Sequence, residues 1–334
     1  VDCSLQALAE TGFDAWLNDQ PNIIAVDTET TGLGYFDTPF CTTIAWDRDD
    51  GDVVGHYFEL VDYDSSWMVS AILQATPTWI GHNIKFDLQK LVQAGILDRE
   101  AITADRLEDT ETLAHLLDAH QKKGLKSLAR THLGVETTED EELAAVRRKL
   151  KLRKEDGYHV LPREVVIPYA IQDVILTLGL FDLFHPKLQD WPELVALYAH
   201  EKLVTLALLD MEGAGMALDM DYLSATAKAY GKEAVRTELR IRDLTTEEFN
   251  PGSWQQILAR FEEEGITLEG TDKDTLSQVD HDLAREILHL RSTRKMHGTY
   301  LQPMLNEQED GIIHPNFRQH GTKTGRMSSG ESEG

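Results

Sequence analysis

The chain has 334 residues, 41% of them apolar and 27% charged, and a formal net charge of −26 from 32 Lys and Arg against 58 Asp and Glu. That length suits two domains or one large one, and the acidic balance excludes a broad basic nucleic-acid surface. It leaves room for nucleic acid bound through metal ions and a few local cations. No apolar run approaches the ~18 residues of a membrane span, so no membrane partner is expected. Cys3 and Cys41 cannot build a disulfide framework, and Val1-Asp2-Cys3-Ser4 lacks the basic-then-apolar pattern of a secretory signal. A reducing, cytoplasmic setting follows as the expectation.

In chain order, Leu5, Leu8, Phe13, Trp16 and Leu17 predict a short amphipathic helix over 5–18. Ile23-Ile24-Ala25-Val26 predicts a buried strand running into Asp27-Thr28-Glu29-Thr30-Thr31-Gly32-Leu33. Strands are predicted at 40–46 and 53–60, a helix at 67–73 and a short buried strand at 79–81. Helices follow at about 85–95, 109–118, 124–132 and 140–150. Gly157-Tyr158 and Pro162 interrupt the pattern before a helix over roughly 168–184. Strands first and a strand–helix tail after them predict a mixed sheet with helices packed around it. Beyond Pro186 the pattern is mainly helical, with a helix closed by Gly213 and Gly215 and others at 222–244 and 284–305. Ser253 caps a further helix holding Ile257, Leu258 and Phe261. The last 24 residues read as polar loop. Pro186 and Pro192 place the domain boundary near 186–194, giving domains 1–190, 191–305 and 306–334.

Asp27 and Glu29 stand one residue apart on a strand, so they project from one face about 7 Å apart by backbone. Two anions that close repel unless a positive charge lies between them. A hard divalent cation, which takes carboxylate and phosphate oxygens, suits the pair. A second carboxylate, Asp87, lies in Gly81-His82-Asn83-Ile84-Lys85-Phe86-Asp87. Asn83 is placed to cap the helix that follows, whose N-terminus favours anions, and Lys85 adds a mobile cation. A third site is Tyr169-Ala170-Ile171-Gln172-Asp173, where a phenol and a carboxylate four apart share one helix face. Each site alone is more often structural. Residues 1–146 hold 9 Lys and Arg against 27 Asp and Glu, whereas 147–154 hold Arg147, Arg148, Lys149, Lys151, Arg153 and Lys154. That block either tracks a phosphate backbone or balances the acidic run 136–142.

Taken together, V-D-T-E-T-T-G-L, G-H-N-I-K-F-D and Y-A-I-Q-D-V resemble the three exonuclease motifs of the DEDD superfamily with tyrosine in the third. Asp109-Thr110 and Gly124-Leu125-Lys126-Ser127-Leu128-Ala129 are similar to the proofreading domains of family A DNA polymerases. Met211-Glu212-Gly213-Ala214-Gly215, Phe249-Asn250-Pro251, Thr299-Tyr300-Leu301 and Gly311-Ile312-Ile313-His314 look like that family's thumb. Thr322-Lys323-Thr324-Gly325-Arg326-Met327-Ser328-Ser329 is similar to the T-x-T-G-R-x-S-S motif at the start of its palm.

The resemblance implies an α/β, ribonuclease H-like mixed sheet with surrounding helices, a mainly helical thumb and a truncated palm start. It is nearest the phage-type members. It also implies a 3′→5′ exonuclease that takes two Mg²⁺ or Mn²⁺ ions. Asp27 would bridge both ions, Glu29 and Asp173 complete the first, Asp87 reach the second, and Tyr169 orient the attacking water with Glu29. Leu33 would act as a wedge against the terminal base, with Thr30, Asn83, Lys85 and Phe86 lining the track of a single-stranded DNA 3′ end. Arg326 would reach the primer terminus of a primer–template duplex. The palm's catalytic aspartates and the fingers helix do not follow in this sequence, so nucleotide addition would need a palm–fingers chain. The readings beside this one are a DNA-gripping structural subunit of a split polymerase and a stand-alone ribonuclease D-like exonuclease.

Overall fold

The computed structural model describes residues 3–60, 63–135, 139–152 and 157–330. The chain divides into two compact units, Val1–Ala214 with Pro315–Gly334, and Gly215–His314. In the first, α1 (Cys3–Asp19) precedes β1 (Ile23–Thr30), β2 (Pro39–Asp47), β3 (Val53–Glu59), α2 (Tyr63–Ala75), β4 (Thr78–Gly81) and α3 (Ile84–Gln93). Then come β5 (Leu107–Asp109), α4 (Thr110–Leu117), α5 (Leu125–Leu128), α6 (Glu139–Leu150), α7 (Arg163–Gln189) and α8 (Pro192–Ala214). The five strands form one sheet in the order β3-β2-β1-β4-β5. β1 pairs antiparallel with β2 and parallel with β4, and β4 pairs parallel with β5. This is the mixed α/β sheet that the resemblance implies. The carboxyl ends of β1, β4 and β5 lie side by side, the edge at which open α/β sheets bind ligands.

Alternation along β1 decides what faces what. Ile24 and Val26 join Trp46, Phe58, Trp79, Leu88 and Leu91 in a core on one face of the sheet. Ala25 points the other way, into a second core with Ala45, Ile80, Val174, Leu178 and Phe181. By the period of two, Asp27 and Glu29 share the Ala25 face, the one α7 covers. α7 comes close: the Thr43 hydroxyl donates to the Ala170 carbonyl at 3.1 Å, and a Cβ at Gly55 would stand 2.7 Å from the Ile171 Cγ2. Each large apolar side chain buried here contributes about 1.5–3 kcal/mol, which is what holds the helix against the sheet.

α7 runs through Pro168 and Pro186 to Gln189, beyond the expected end near 184. An internal proline costs a helix about 3 kcal/mol, but Phe181, Phe184 and Leu188 are buried on either side of Pro186 and outweigh it. By length and composition α7 could cross a membrane, contrary to the reading of apolar runs. Half of its most apolar stretch is buried within the fold, as in a core helix. The compact units do not part at these prolines. Tyr198 and Leu209 of α8 belong to the two cores of the first unit, which therefore runs on through α8 to Ala214.

The second unit holds β6 (Met216–Ala217), α9 (Met220–Leu244), α10 (Trp254–Glu263), α11 (Lys273–Ser277), α12 (Asp282–Lys295), α13 (Gln302–Glu307) and β7 (Ile312–Ile313). Ile241, Ile257, Phe261, Leu276, Leu283, Ile287 and Leu290 form its core. Ser253 caps α10 as expected, accepting from the Gln256 N–H at 3.4 Å. The helix expected over 284–305 is α12 and α13 joined by a wider-wound stretch, Met296–Leu301. β6 and β7 pair antiparallel, which holds residues 306–314 within this compact unit. Part of the expected terminal loop is a small hairpin of the first unit, β8 (Phe317–Arg318) with β9 (Ser328–Ser329).

Candidate active site

β1 delivers its carboxylates at a register shift: Glu29 lies opposite Cys41, but Thr30 opposite Pro39. Asp27 and Glu29 are half-buried, and Asp87 and Asp173 are buried. Asp87 sits in the first turn of α3 and reaches back to β1, where its Oδ1 accepts the Thr28 N–H at 2.8 Å. That bond fixes it beside the backbone between Asp27 and Glu29.

The electrostatics show that these groups feel one another. Burial raises the Asp27 carboxyl to about 6, partly opposed by the Lys126 charge. Burial and then the Asp27 charge hold Glu29 well above the usual carboxylate range. Asp87 is also raised, by burial first and by the Asp27 charge next, with the Thr28 N–H pulling the other way. On α7, burial and the Glu29 charge raise the Tyr169 phenol, so it stays protonated. Lys126, from α5, ties the two sides together. Its ammonium ion-pairs with Asp173 and lies 4.5 Å from the centre of the Tyr169 ring. Tyr158 braces that ring edge-on, with centroids 5.3 Å apart.

Among the described residues, no three His, Cys, Asp or Glu side chains are grouped closely enough to ligate one ion as they stand. In kind the donors fit a hard divalent cation: all are carboxylate oxygens, and the raised pKa values of Asp27, Glu29 and Asp87 register a need for positive charge that Lys126 meets only in part, at Asp27 and Glu29. Lys126 is the stand-in cation of this arrangement.

The remaining predicted residues fall into different settings. Thr30 is buried and its hydroxyl donates to the Gly32 carbonyl at 2.5 Å, shaping the loop rather than facing outward. Leu33 is exposed at the loop tip. Phe86 and Asn83 are half-buried at the start of α3. Lys85 is not a mobile cation. It is buried, ion-paired with Glu212, and donates to the Phe317 carbonyl at 2.8 Å. Nor does Asn83 cap α3: it adopts a left-handed conformation with φ 63° and makes no capping bond. Asp109 does that work, accepting the Ile84 N–H at 2.9 Å while capping its own helix α4 through Glu111 and Thr112. Arg326 is exposed beyond Gly325, whose φ is +75°. In the cationic block, Arg148, Lys149 and Lys151 are exposed, the Arg147 guanidinium lies 5.8 Å from the Tyr158 ring centre, and Arg153 and Lys154 lie outside the described residues. Sequence reasoning gave no role to Lys126 or Asp109. An Asp before T-E-T is a readable cap for α4, but nothing local announces its second helix or the partner of Lys126.

Residues 7–189 match the family profile described as 3′-5′ exonuclease, and residues 220–333 match DNA polymerase family A. The DNA polymerase of Escherichia phage T5 is 29% identical over 282 residues, which cover 75% of this chain and 33% of that protein. DNA polymerase DpoZ of Vibrio phage phiVC8 is 27% identical over 344 residues, covering 90% of this chain and 53% of that protein. The chain thus spans from a third to about half of the length of these relatives. Its fold is similar to the POL domain of Pol1 from M. smegmatis, solved with DNA primer-template and dNTP, with a TM-score of 0.67 at 22% identity over 94% of this chain and 52% of that one. With its profile match covering more than half of the sequence, the chain belongs to the 3′-5′ exonuclease family, joined here to DNA polymerase family A.

Proposed function

We propose that the chain removes nucleotides from DNA 3′ ends by phosphodiester hydrolysis, as the proofreading part of a family A DNA polymerase. One observation supports this reading above the others: at the end of β1, beyond the effect of burial, the Asp27 charge raises both Glu29 and Asp87, Glu29 and Asp27 raise the Tyr169 phenol of α7, and Lys126, which lowers Asp27 and Glu29, pairs with Asp173. Asp27, Glu29, Asp87 and Asp173 are the side chains that would hold Mg²⁺ or Mn²⁺, two ions in the family pattern. Such ions supply an activated water and neutralise charge on the phosphate and the leaving oxygen.

The chain's own residues do the rest. Glu29 accepts a hydrogen bond from the attacking water, and the protonated Tyr169 phenol holds that water from the other side. Tyr158 and Lys126 keep the phenol ring in place. Lys126 offsets part of the carboxylate repulsion when no ion is bound. Leu33, Phe86 and Asn83 offer the last unpaired nucleotides apolar and polar contacts that read no sequence. Exposed Arg326 and the cations at 147–151 suit a duplex backbone. Nucleotide addition belongs to a palm–fingers part, and the match over 220–333 favours that setting over a stand-alone ribonuclease D-like enzyme.

The test is digestion of a 3′-labelled single-stranded DNA with Mg²⁺, comparing the chain with Asp27→Ala and Asp173→Ala. Both variants should lose the activity. Undiminished digestion by either one overturns the reading.

A further inference from the structure

The loop that leaves Glu29 is held from within by a lysine that the reading above does not use. Lys90, one turn after Asp87 on α3, is completely buried. Its ammonium donates to the carbonyls of Gly34 at 2.6 Å, Tyr35 at 2.7 Å and Asp37 at 2.8 Å. A lysine has three N–H donors, so all of them serve one short stretch of backbone. The Asp37 carboxylate grips the same loop, accepting from the Gly34 N–H at 2.7 Å and the Thr31 hydroxyl at 3.1 Å. Gly32 lies so close that a Cβ there would stand 2.6 Å from that carboxylate. Out of this frame rise Leu33, 58% exposed, and Phe36, 47% exposed.

Reversing the chain between β1 and β2 does not need Lys90. The Thr31 N–H already bonds the Thr38 carbonyl at 3.0 Å, and the Thr38 N–H bonds the Thr31 hydroxyl at 3.1 Å. Burying an ammonium is unfavourable, and an apolar side chain would fill the space without that penalty. Burial pushes the Lys90 amine down to about 8, with the Asp37 charge opposing, so it remains charged at neutral pH. What the lysine adds is one fixed shape for the loop tip. Flat base faces stack on aromatic rings, and apolar side chains wedge between stacked bases.

We propose that Lys90 is a positioning residue: it fixes the Leu33–Phe36 tip beside Glu29 so that the two apolar side chains take the terminal base of a DNA 3′ end and part it from its neighbours. The proposal rests on the exonuclease reading. A single-stranded end arrives already unstacked, so the loop matters most when the terminus is paired.

The experiment uses the full chain with Lys90→Met, which keeps length and bulk but removes the donors. Digestion with Mg²⁺ is followed on one 3′-labelled strand, alone and in a blunt duplex. The paired-end rate should fall about tenfold to a hundredfold relative to the single-strand rate, the size of loss that misplacing a contact by ~1 Å produces. Leu33→Ala should show the same split, and the double variant should fall no further, because both act through one loop. A second readout needs no cleavage: a 3′-terminal 2-aminopurine in a duplex, with Ca²⁺, brightens when the base unstacks. Wild-type brightening that Lys90→Met loses supports the proposal. Equal losses on both substrates, or equal brightening in both proteins, overturn it. If Lys90→Met does not fold, the surface variant Phe36→Ala and the isosteric Asp37→Asn carry the same expectation. Wild-type protein that brightens the probe yet digests neither substrate refutes the exonuclease reading alone.

Discussion

In the helical unit, residues 215–314, charged side chains meet one another at the surface. Arg240 bridges Glu233 and Glu286, both at 2.9 Å, Arg285 pairs with Asp280 and Asp282 at 2.6 Å, and Arg260 pairs with Glu264. Among the described residues, no charged side chain of that unit is buried; its buried polar groups are Thr237 and Thr293. The sheet unit has surface pairs too, such as Arg48 with Asp19 at 2.8 Å, but it also buries charge. It draws Asp27, Glu29 and Asp87 together at the end of β1 and buries Lys85, Lys90 and Asp173 around them. Repulsion that any stability-driven sequence would relieve is kept there. The contrast is between a unit whose charges stay in solvent and one that keeps raised carboxylates inside its fold.

The sharpest way to break that contrast is to remove the repulsion. Asp27→Asn keeps the shape and deletes a charge that raises both Glu29 and Asp87. Digestion of 3′ ends should fall about 10²- to 10³-fold, the loss of several kcal/mol of charge stabilisation. The melting temperature without metal should stay level or rise. A variant that loses both activity and stability would show the carboxylate to be structural.

Next in size is the core of the helical unit. Ile287 is fully buried among Ile257, Phe261 and Leu283. Ile287→Ala should destabilise this unit by about 2–5 kcal/mol in urea unfolding followed by circular dichroism. An effect below that range would mean the surface ion pairs matter more than the packing.

The pH response sharpens the comparison further. Asp27 titrates at about 6 in the fold, with Glu29 and Asp87 also raised, against about 4 for unfolded carboxylates. The folded protein therefore binds these protons more tightly than the unfolded chain does. Their contribution to stability is complete below pH ~4 and is lost as pH rises through ~6. Without metal, the melting temperature should drop by a few degrees across that window. Mg²⁺ should restore it at pH 7.5 and do little at pH 5, where protons hold the sites. Equal Mg²⁺ shifts at both values would place the ion elsewhere.

What could be read from sequence follows from how far each signal reaches. Asp27 and Glu29 share a face because a strand has a period of two, and Tyr169 and Asp173 share one because a helix returns after four. Both are local facts. Lys85 meets Glu212 across 127 residues, and no pattern around Lys85 marks it as buried. The α3 cap shows local and tertiary rules in conflict. Asn83 has the right type and place, yet Asp109 satisfies the helix from the neighbouring strand. The prolines misled in the same way, since Pro186 suggests a stop only until Phe184 and Leu188 are known to be buried beside it.

The smallest effect is expected at Arg240, and it decides whether surface charge in the helical unit carries any weight. Its two ion pairs have good distances, but the side chain is 43% exposed, and Glu233 and Glu286 are 35% and 25% exposed. Water and salt screen such pairs, and holding a long side chain still offsets what attraction remains. Arg240→Ala should therefore shift the unfolding midpoint far less than Ile287→Ala, and the shift should vanish in 0.5 M salt, roughly a 4 Å screening length. A loss that survives high salt would mean that the stem of Arg240 contributes through its methylenes rather than its charge.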